Sequence, residues 1–292
     1  MKNFNYFTPK SLSEVQDVLA RYPEGGVLMA GGTDLLVQMK SKAITPECLV
    51  DLKGLGLSYI SHTGGGLAIG GTTTLHEIES STLIKEKCPV LAATCSEMAS
   101  YSIRHLATIG GNLCNAAPSA DTAPPLMVLG SRVRIIGPEG ERIVPVEEMF
   151  TGPGKTVLKR GEILTEIQIA DLPPHSGAVY LKYKRNEGMD LALVGVAVSM
   201  VLNSSGTTCQ EIRIALGAVA PTPIRASVAE EVLRGNQLKE DLFEETAIKA
   251  REAAQPLTDV RCSAAYRTAL VEKLTLDALW QVRKLAIDKK EA

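Results

Sequence analysis

The sequence predicts an α+β fold in three units, on three observations. Short apolar runs alternate with amphipathic helical stretches through the first half of the chain. Two glycine-rich turns, Ala30-Gly31-Gly32-Thr33-Asp34 and Thr108-Ile109-Gly110-Gly111-Asn112, each follow an apolar run. Consecutive prolines at Pro173 and Pro174 mark a boundary, beyond which two long apolar strands lead into a helical end. With 292 residues the chain can bury a sizeable core divided among two or three domains. Its 45% hydrophobic and 22% charged content is ordinary for a globular protein, and a formal charge of −2 argues against a nucleic-acid partner. No stretch is apolar for long enough to span a bilayer, and no charged leader precedes a signal-like segment, so a cytoplasmic protein is expected.

The elements follow in order from local chemistry. Ser11 and Glu14 are spaced as a capping box, with Leu12, Val15, Val18 and Leu19 on one helical face behind them. Residues 27–30 read as a buried strand entering the first glycine turn, then a short helix, and residues 49–52 as a second strand. A second unit begins near Tyr59, with a strand at 67–70, a helix opening at 74–78 and a longer helix from 90 to about 100. Residues 131–135 and 142–145 flank Pro138-Glu139-Gly140, which predicts a hairpin. Pro153 and Gly154 interrupt the chain before strand character resumes at 162–167. Leu172-Pro173-Pro174-His175 ends the unit, because prolines neither continue a helix nor donate within a central strand. Residues 194–202 and 212–219 are strands about Asn203-Ser204-Ser205-Gly206. Pro221-Thr222-Pro223 then opens a helical end, whose last helix carries the stripe Leu270, Leu274 and Val282.

Six cysteines, Cys48, Cys88, Cys95, Cys114, Cys209 and Cys262, form no C-x-x-C pair, which fits reduced and mostly buried thiols. Cys114 lies two residues past the second glycine turn and is read as a small side chain packed beneath it. His62, His76, His105 and His175 lack metal-ligand spacing, so no zinc site is expected.

The glycine turns carry the chemistry. Glycine permits close backbone approach and positive φ, and compact groups of N–H bind anions. In the first turn Gly31 and Gly32 are expected to aim N–H groups at phosphate while Thr33 donates its hydroxyl. Leu35 and Leu36 should anchor the next turn in the core. Asp34, unsuited to phosphate, should order the loop, bind a hydroxyl or open the helix. The second turn repeats this logic with Thr108, Gly110 and Gly111, and Asn112 adds an amide donor and acceptor. Both turns also fit plain tight connections, and neither matches G-x-G-x-x-G or a P-loop. Asp121 suits either a ribose or ribityl hydroxyl or the N-cap of the following helix. Lys182, Lys184 and Arg185 read by spacing as a solvated strand face, the other reading being a lysine beside a flavin ring. With no Ser/His/Asp set and no locatable acid pair, the chemistry falls to a cofactor held by the protein.

The two turns, with Ser119-Ala120-Asp121, Thr151-Gly152-Pro153-Gly154-Lys155, Lys182-Tyr183-Lys184-Arg185, Met189-Asp190-Leu191-Ala192 and Ala220-Pro221-Thr222-Pro223-Ile224-Arg225, resemble the FAD-binding medium subunit of the molybdenum hydroxylases over almost the full length. The resemblance implies a two-part FAD-binding domain of the molybdenum hydroxylase and vanillyl-alcohol-oxidase-like type, residues 1–58 and 59–172. It also implies a C-terminal domain, residues 176–290, of antiparallel sheet and helices. FAD is the implied cofactor, with main contacts at Met29, Ala30, Gly31, Gly32, Thr33, Asp34, Leu35, Thr108, Gly110, Gly111 and Asn112. Asp121, Leu164 and Lys182 are the implied secondary contacts, and no catalytic residue or metal ligand is implied.

The implied activity is electron transfer. A separate molybdopterin-binding large subunit oxidises the substrate, and an iron–sulfur small subunit with two-iron two-sulfur clusters relays electrons to FAD. The acceptor is then NAD⁺ or another oxidant, in a dimer of heterotrimers. The segments 151–155 and 220–223 look most like the bacterial xanthine dehydrogenase branch, with a nicotinate, other heteroaromatic or aldehyde dehydrogenase as the alternative. The chain shows no compact cysteine-bearing insertion, which argues against the benzoyl-CoA-type reductase branch. Two alternatives of other classes are a flavoprotein acting alone and a non-catalytic assembly subunit with empty glycine turns.

Overall fold

The apolar run at Cys48–Asp51 is buried along its whole length because it is the central strand of a small parallel sheet, covered on both faces. The computed structural model that shows this describes residues 2–186 and 188–288. The first unit runs β1 (Asn5–Phe7), α1 (Leu12–Arg21), β2 (Gly26–Met29), α2 (Leu35–Lys40) and β3 (Cys48–Asp51), with strand order β1-β3-β2. Ser11 caps α1 by accepting from the Glu14 N–H at 3.2 Å, but Glu14 reaches past the cap to the Lys10 N–H at 2.8 Å. The strand β1, three residues long and largely exposed, has no pattern by which the sequence could reveal it.

The second unit opens with β4 (Ile60–Thr63) and β5 (Gly66–Gly70). Short helices follow: α3 (Leu75–Ser80), α4 (Thr82–Lys87), α5 (Pro89–Ser96), α6 (Tyr101–Arg104), α7 (Ile109–Asn115) and α8 (Ala123–Val128). The expected helix from 90 to 100 is broken because Ala99 sits at φ 46°, a left-handed turn no right-handed helix can contain. Ser100 then caps α6 through its side chain. The chain returns through β6 (Arg132–Gly137), β7 (Gly140–Pro145), the small hairpin β8 (Phe150–Gly152) and β9 (Lys155–Thr156), and β10 (Ile163–Ala170). These form an antiparallel sheet of order β4-β5-β10-β6-β7, in which β6 and β7 make the expected hairpin.

The third unit is an antiparallel sheet of β11 (Ser176–Tyr183), β12 (Val194–Leu202), β13 (Cys209–Gly217) and β14 (Ile224–Arg225), followed by α9 (Ser227–Leu233), α10 (Glu240–Ala253) and α11 (Ala264–Asp288). Residues 1, 187 and 289–290 of the expected units lie outside the described residues. Along β12 the large residues Val196, Val198 and Met200 join the core beneath α11, while Ala197 turns to the other face with Ala178 and Ala215. Those small side chains let α8 of the second unit pack directly on the sheet, and Ser199 donates to the Val128 carbonyl there at 2.7 Å. Among the described residues no helix is long and apolar enough to cross a membrane.

Candidate functional site

The two glycine turns meet. Between the first and second units they enclose a cavity of about 300 Å³, lined by Met29 through Leu35, by Thr108, Gly110, Gly111 and Asn112, and by Leu164 of β10. Glycine is required because these segments pack backbone on backbone. A Cβ on Gly31 would strike the Leu106 carbonyl, one on Gly110 the Gly71 carbonyl, and one on Gly71 the Leu164 carbonyl. Gly32, at φ 74°, makes the turn itself. Gly71 and Thr72 also line the cavity, and the doublet Gly70-Gly71 after an apolar run carries the same sequence signal as the two turns.

The turns differ in what they offer. In the second, Ile109 donates its N–H to the Thr73 carbonyl at 3.1 Å and Gly110 to the Gly71 carbonyl at 3.0 Å. Gly111 donates to Thr108 Oγ1 at 3.0 Å and Asn112 to the Thr108 carbonyl at 2.9 Å. In this structure tertiary and helical bonds take up the N–H groups of the second turn. In the first turn, among the described residues, the N–H groups of Gly31, Gly32, Thr33 and Asp34 donate to no protein acceptor. What the second turn contributes is the Asn112 amide, whose Oδ1 accepts from Thr122 Oγ1 at 2.6 Å, leaving Nδ2 to donate.

Asp34 is the N-cap residue of α2 but its carboxylate makes no cap bond. Leu35 packs in the core with Met39 one turn on, whereas Leu36 is 41% exposed rather than an anchor. One helix step of about 100° past Leu35 turns it away from the buried face. Cys114 lines the cavity wall against the core, and burial pushes its thiol up to about 12, so it is an inert side chain. Leu28, Leu52, Leu158 and Ile163 add apolar wall that the glycine signal did not single out, and Gln38 and Asn115 add polar groups.

Glu162, also on the wall, accepts from Arg142 Nε at 2.8 Å, Arg142 Nη2 at 2.7 Å and the Lys159 N–H at 2.6 Å. The Arg142 hydrogen bonds hold its carboxyl below the usual range. That stabilisation is present above the unfolded value of about 4.3 and is lost as pH falls through the lower folded value. In thermal melts of the cofactor-free chain, Glu162→Gln should lower Tm at pH 7, and the gap should close below about pH 4. A gap independent of pH would contradict this role.

Asp121 and Lys182 do not line the cavity; they pair with each other. Asp121 Oδ2 accepts from Lys182 Nζ at 2.8 Å and Oδ1 from the Tyr180 hydroxyl at 2.7 Å. Two expectations are corrected here. Asp121 does not cap α8, and Lys182 is not on a solvated face: its side chain is 4% exposed. Tyr180 and Lys182 share the inward face of β11 by strand alternation, while Lys184 and Arg185 pair with Glu97 and Asp190. Burial beside Asp121 pushes the Tyr180 phenol well up, so it stays a donor. Among the described residues no group of three His, Cys, Asp or Glu is placed to hold a metal ion.

Comparison with known proteins gives two family matches. Residues 2–171 match the FAD binding domain in molybdopterin dehydrogenase, and residues 178–282 match the CO dehydrogenase flavoprotein C-terminal domain. The chain is 36% identical to the carbon monoxide dehydrogenase medium chain of Afipia carboxidovorans over 92% of both chains. It is 32% identical to the xanthine dehydrogenase FAD-binding subunit of Escherichia coli O157:H7 over 93% of both. In the crystal structure of quinoline 2-oxidoreductase from Pseudomonas putida 86, a chain 30% identical superposes with TM-score 0.91, covering 98% of this chain and 99% of that one.

Proposed function

This chain belongs to the family of FAD-binding subunits of the molybdenum hydroxylases, and we propose that within such an enzyme it relays electrons from an iron–sulfur small subunit to NAD⁺. FAD is its cofactor, and it is the flavin subunit of an oxidoreductase. The observation that carries the reading is the set of unused N–H groups at Gly31, Gly32, Thr33 and Asp34, residues that line a cavity with apolar walls. Such a set fits a pyrophosphate, because an anion turns each N–H into a charge-assisted bond. Thr33 Oγ1 and Asn112 Nδ2 add donors, and Met29, Ala30, Leu35 and Leu164 supply apolar contact. Thr108, Gly110 and Gly111 hold Asn112 in place, Thr122 fixes its amide, and Asp121, the residue before Thr122, pairs with Lys182. Bound FAD supplies a carrier that takes up two electrons and passes them on. The protein's part is to hold, orient and shield that group.

The finer assignment has a molybdopterin-binding large subunit acting on xanthine, with two-iron two-sulfur clusters in the small subunit, assembled as a cytoplasmic dimer of heterotrimers. The domain division proposed is 1–58, 59–172 and 176–290, and the gap between the two family matches supports its second boundary. Likeness to a carbon monoxide dehydrogenase medium chain supports a second reading, in which the partner subunit acts on carbon monoxide. The test is coexpression with the partner subunits, followed by a metal inventory and turnover with xanthine, nicotinate, an aldehyde and carbon monoxide. Xanthine-dependent reduction of NAD⁺ is the expected result. Turnover of another substrate, or only with an artificial acceptor, would overturn the finer assignment.

A further inference from the structure

We propose that Tyr180 is a positioning residue for the cofactor, acting from the third unit through Asp121 and Thr122 on the Asn112 amide; this rests on the reading of the cavity as the FAD site. The argument begins at the start of α8. Asp121 and Thr122 precede the helix and are both residue types that cap, yet neither side chain caps it. The reason lies in the next residues. A cap accepts from the second and third helical N–H groups, and those positions are Pro124 and Pro125, which have none. Thr122, at the cap position, is thereby released for another partner, and Asp121, one residue before it, is outside the cap position altogether.

Each has one. Thr122, fully buried, donates its hydroxyl to Asn112 Oδ1 at 2.6 Å. That bond commits the carbonyl side of the amide and so decides which end of Asn112 is left for the cavity. Asp121, 6% exposed, is gripped at both oxygens by Tyr180 and Lys182 of β11. Lys182 supplies the counter-charge. Tyr180 satisfies the second oxygen, which in a buried site would otherwise be left without a bond. Gly195, on β12 opposite Lys182 and diagonal to Tyr180, leaves room for the phenol, since a Cβ there would meet the Tyr180 hydroxyl. The chain of contacts runs from the third sheet to the cavity wall without a gap. Docking of the third unit and the grip on the cofactor are therefore coupled.

The test is a double-mutant cycle on the full chain, with FAD affinity read by flavin fluorescence and folding of each cofactor-free variant checked by thermal melt. Tyr180→Phe should weaken FAD binding about 5- to 10-fold, as loss of one buried hydrogen bond would. In an Asn112→Ala background the same change should alter affinity less than about twofold, because the group through which it acts is gone. Thr122→Val, which leaves the Tyr180–Asp121 bond in place, should behave as Tyr180→Phe does in both backgrounds. An equal loss with and without Asn112, or no loss in the otherwise native chain, would overturn the proposal. If the native chain itself bound no FAD, the reading of the cavity would fall first, and the two failures are thus distinguishable.

Discussion

Gly31→Val yields a folded chain that has lost its FAD. The Cβ introduced at this position lands on the Leu106 carbonyl and 3.0 Å from Ala107 Cα, which is backbone and cannot swing aside. The turn must then move off the 106–107 segment, taking with it the N–H groups of Gly31 to Asp34. Two charge-assisted bonds lost from such a set are worth roughly 3 kcal/mol or more, a factor above a hundred in affinity. The ratio of flavin to protein after gentle purification measures it, and far-UV circular dichroism should be close to that of the native chain. Gly111→Val makes an informative contrast. Its Cβ would meet Thr108 Oγ1 at 2.8 Å, the end of a side chain that can rotate, and the residue has no positive φ. The expected loss there is only about tenfold, from one disturbed cap and one shifted amide. Native occupancy in Gly31→Val would remove the first turn from the site.

Lys182→Met is expected to have the largest effect on stability. It removes the counter-charge of a buried carboxylate and leaves Asp121 with Tyr180 alone. Breaking a buried pair in this way costs about 3–5 kcal/mol, whereas removing both charges can be close to neutral. Urea unfolding should therefore show a fall of that order for Lys182→Met, and Asp121→Asn added to it should restore much of the loss. A loss under about 1 kcal/mol, typical of exposed pairs, would mean that the pair is solvated.

Much of the fold was legible because the signals were local. The capping residue Ser11, the helix opening at 74–78, the Pro-Glu-Gly turn between β6 and β7, and the apolar run of β12 each act within a few residues. The strands β1 and β4 were not legible, being short and half exposed, with pairing supplied by distant neighbours. At the site the sequence shows which glycines gather but not which N–H groups they leave unused. That depends on the bond from Gly110 to the Gly71 carbonyl, and on the stacking of Gly31 over residues 106–107, both long-range. The roles of Asp121 and Thr122 lie between these cases. Pro124 and Pro125 already said that there was little to cap, but the partners of the freed side chains are on other elements.

The central claim is that the first turn grips the cofactor through backbone N–H groups that the second turn no longer has. Hydrogen exchange of the full chain, followed by mass spectrometry with and without FAD, tests it most directly. Amides of Gly31 to Asp34 should exchange fast in the free chain and slow sharply with FAD, while those of Ile109 to Asn112 should be protected in both states. FAD binding that left residues 31–34 exchanging freely, or slowed only the second turn, would contradict the account.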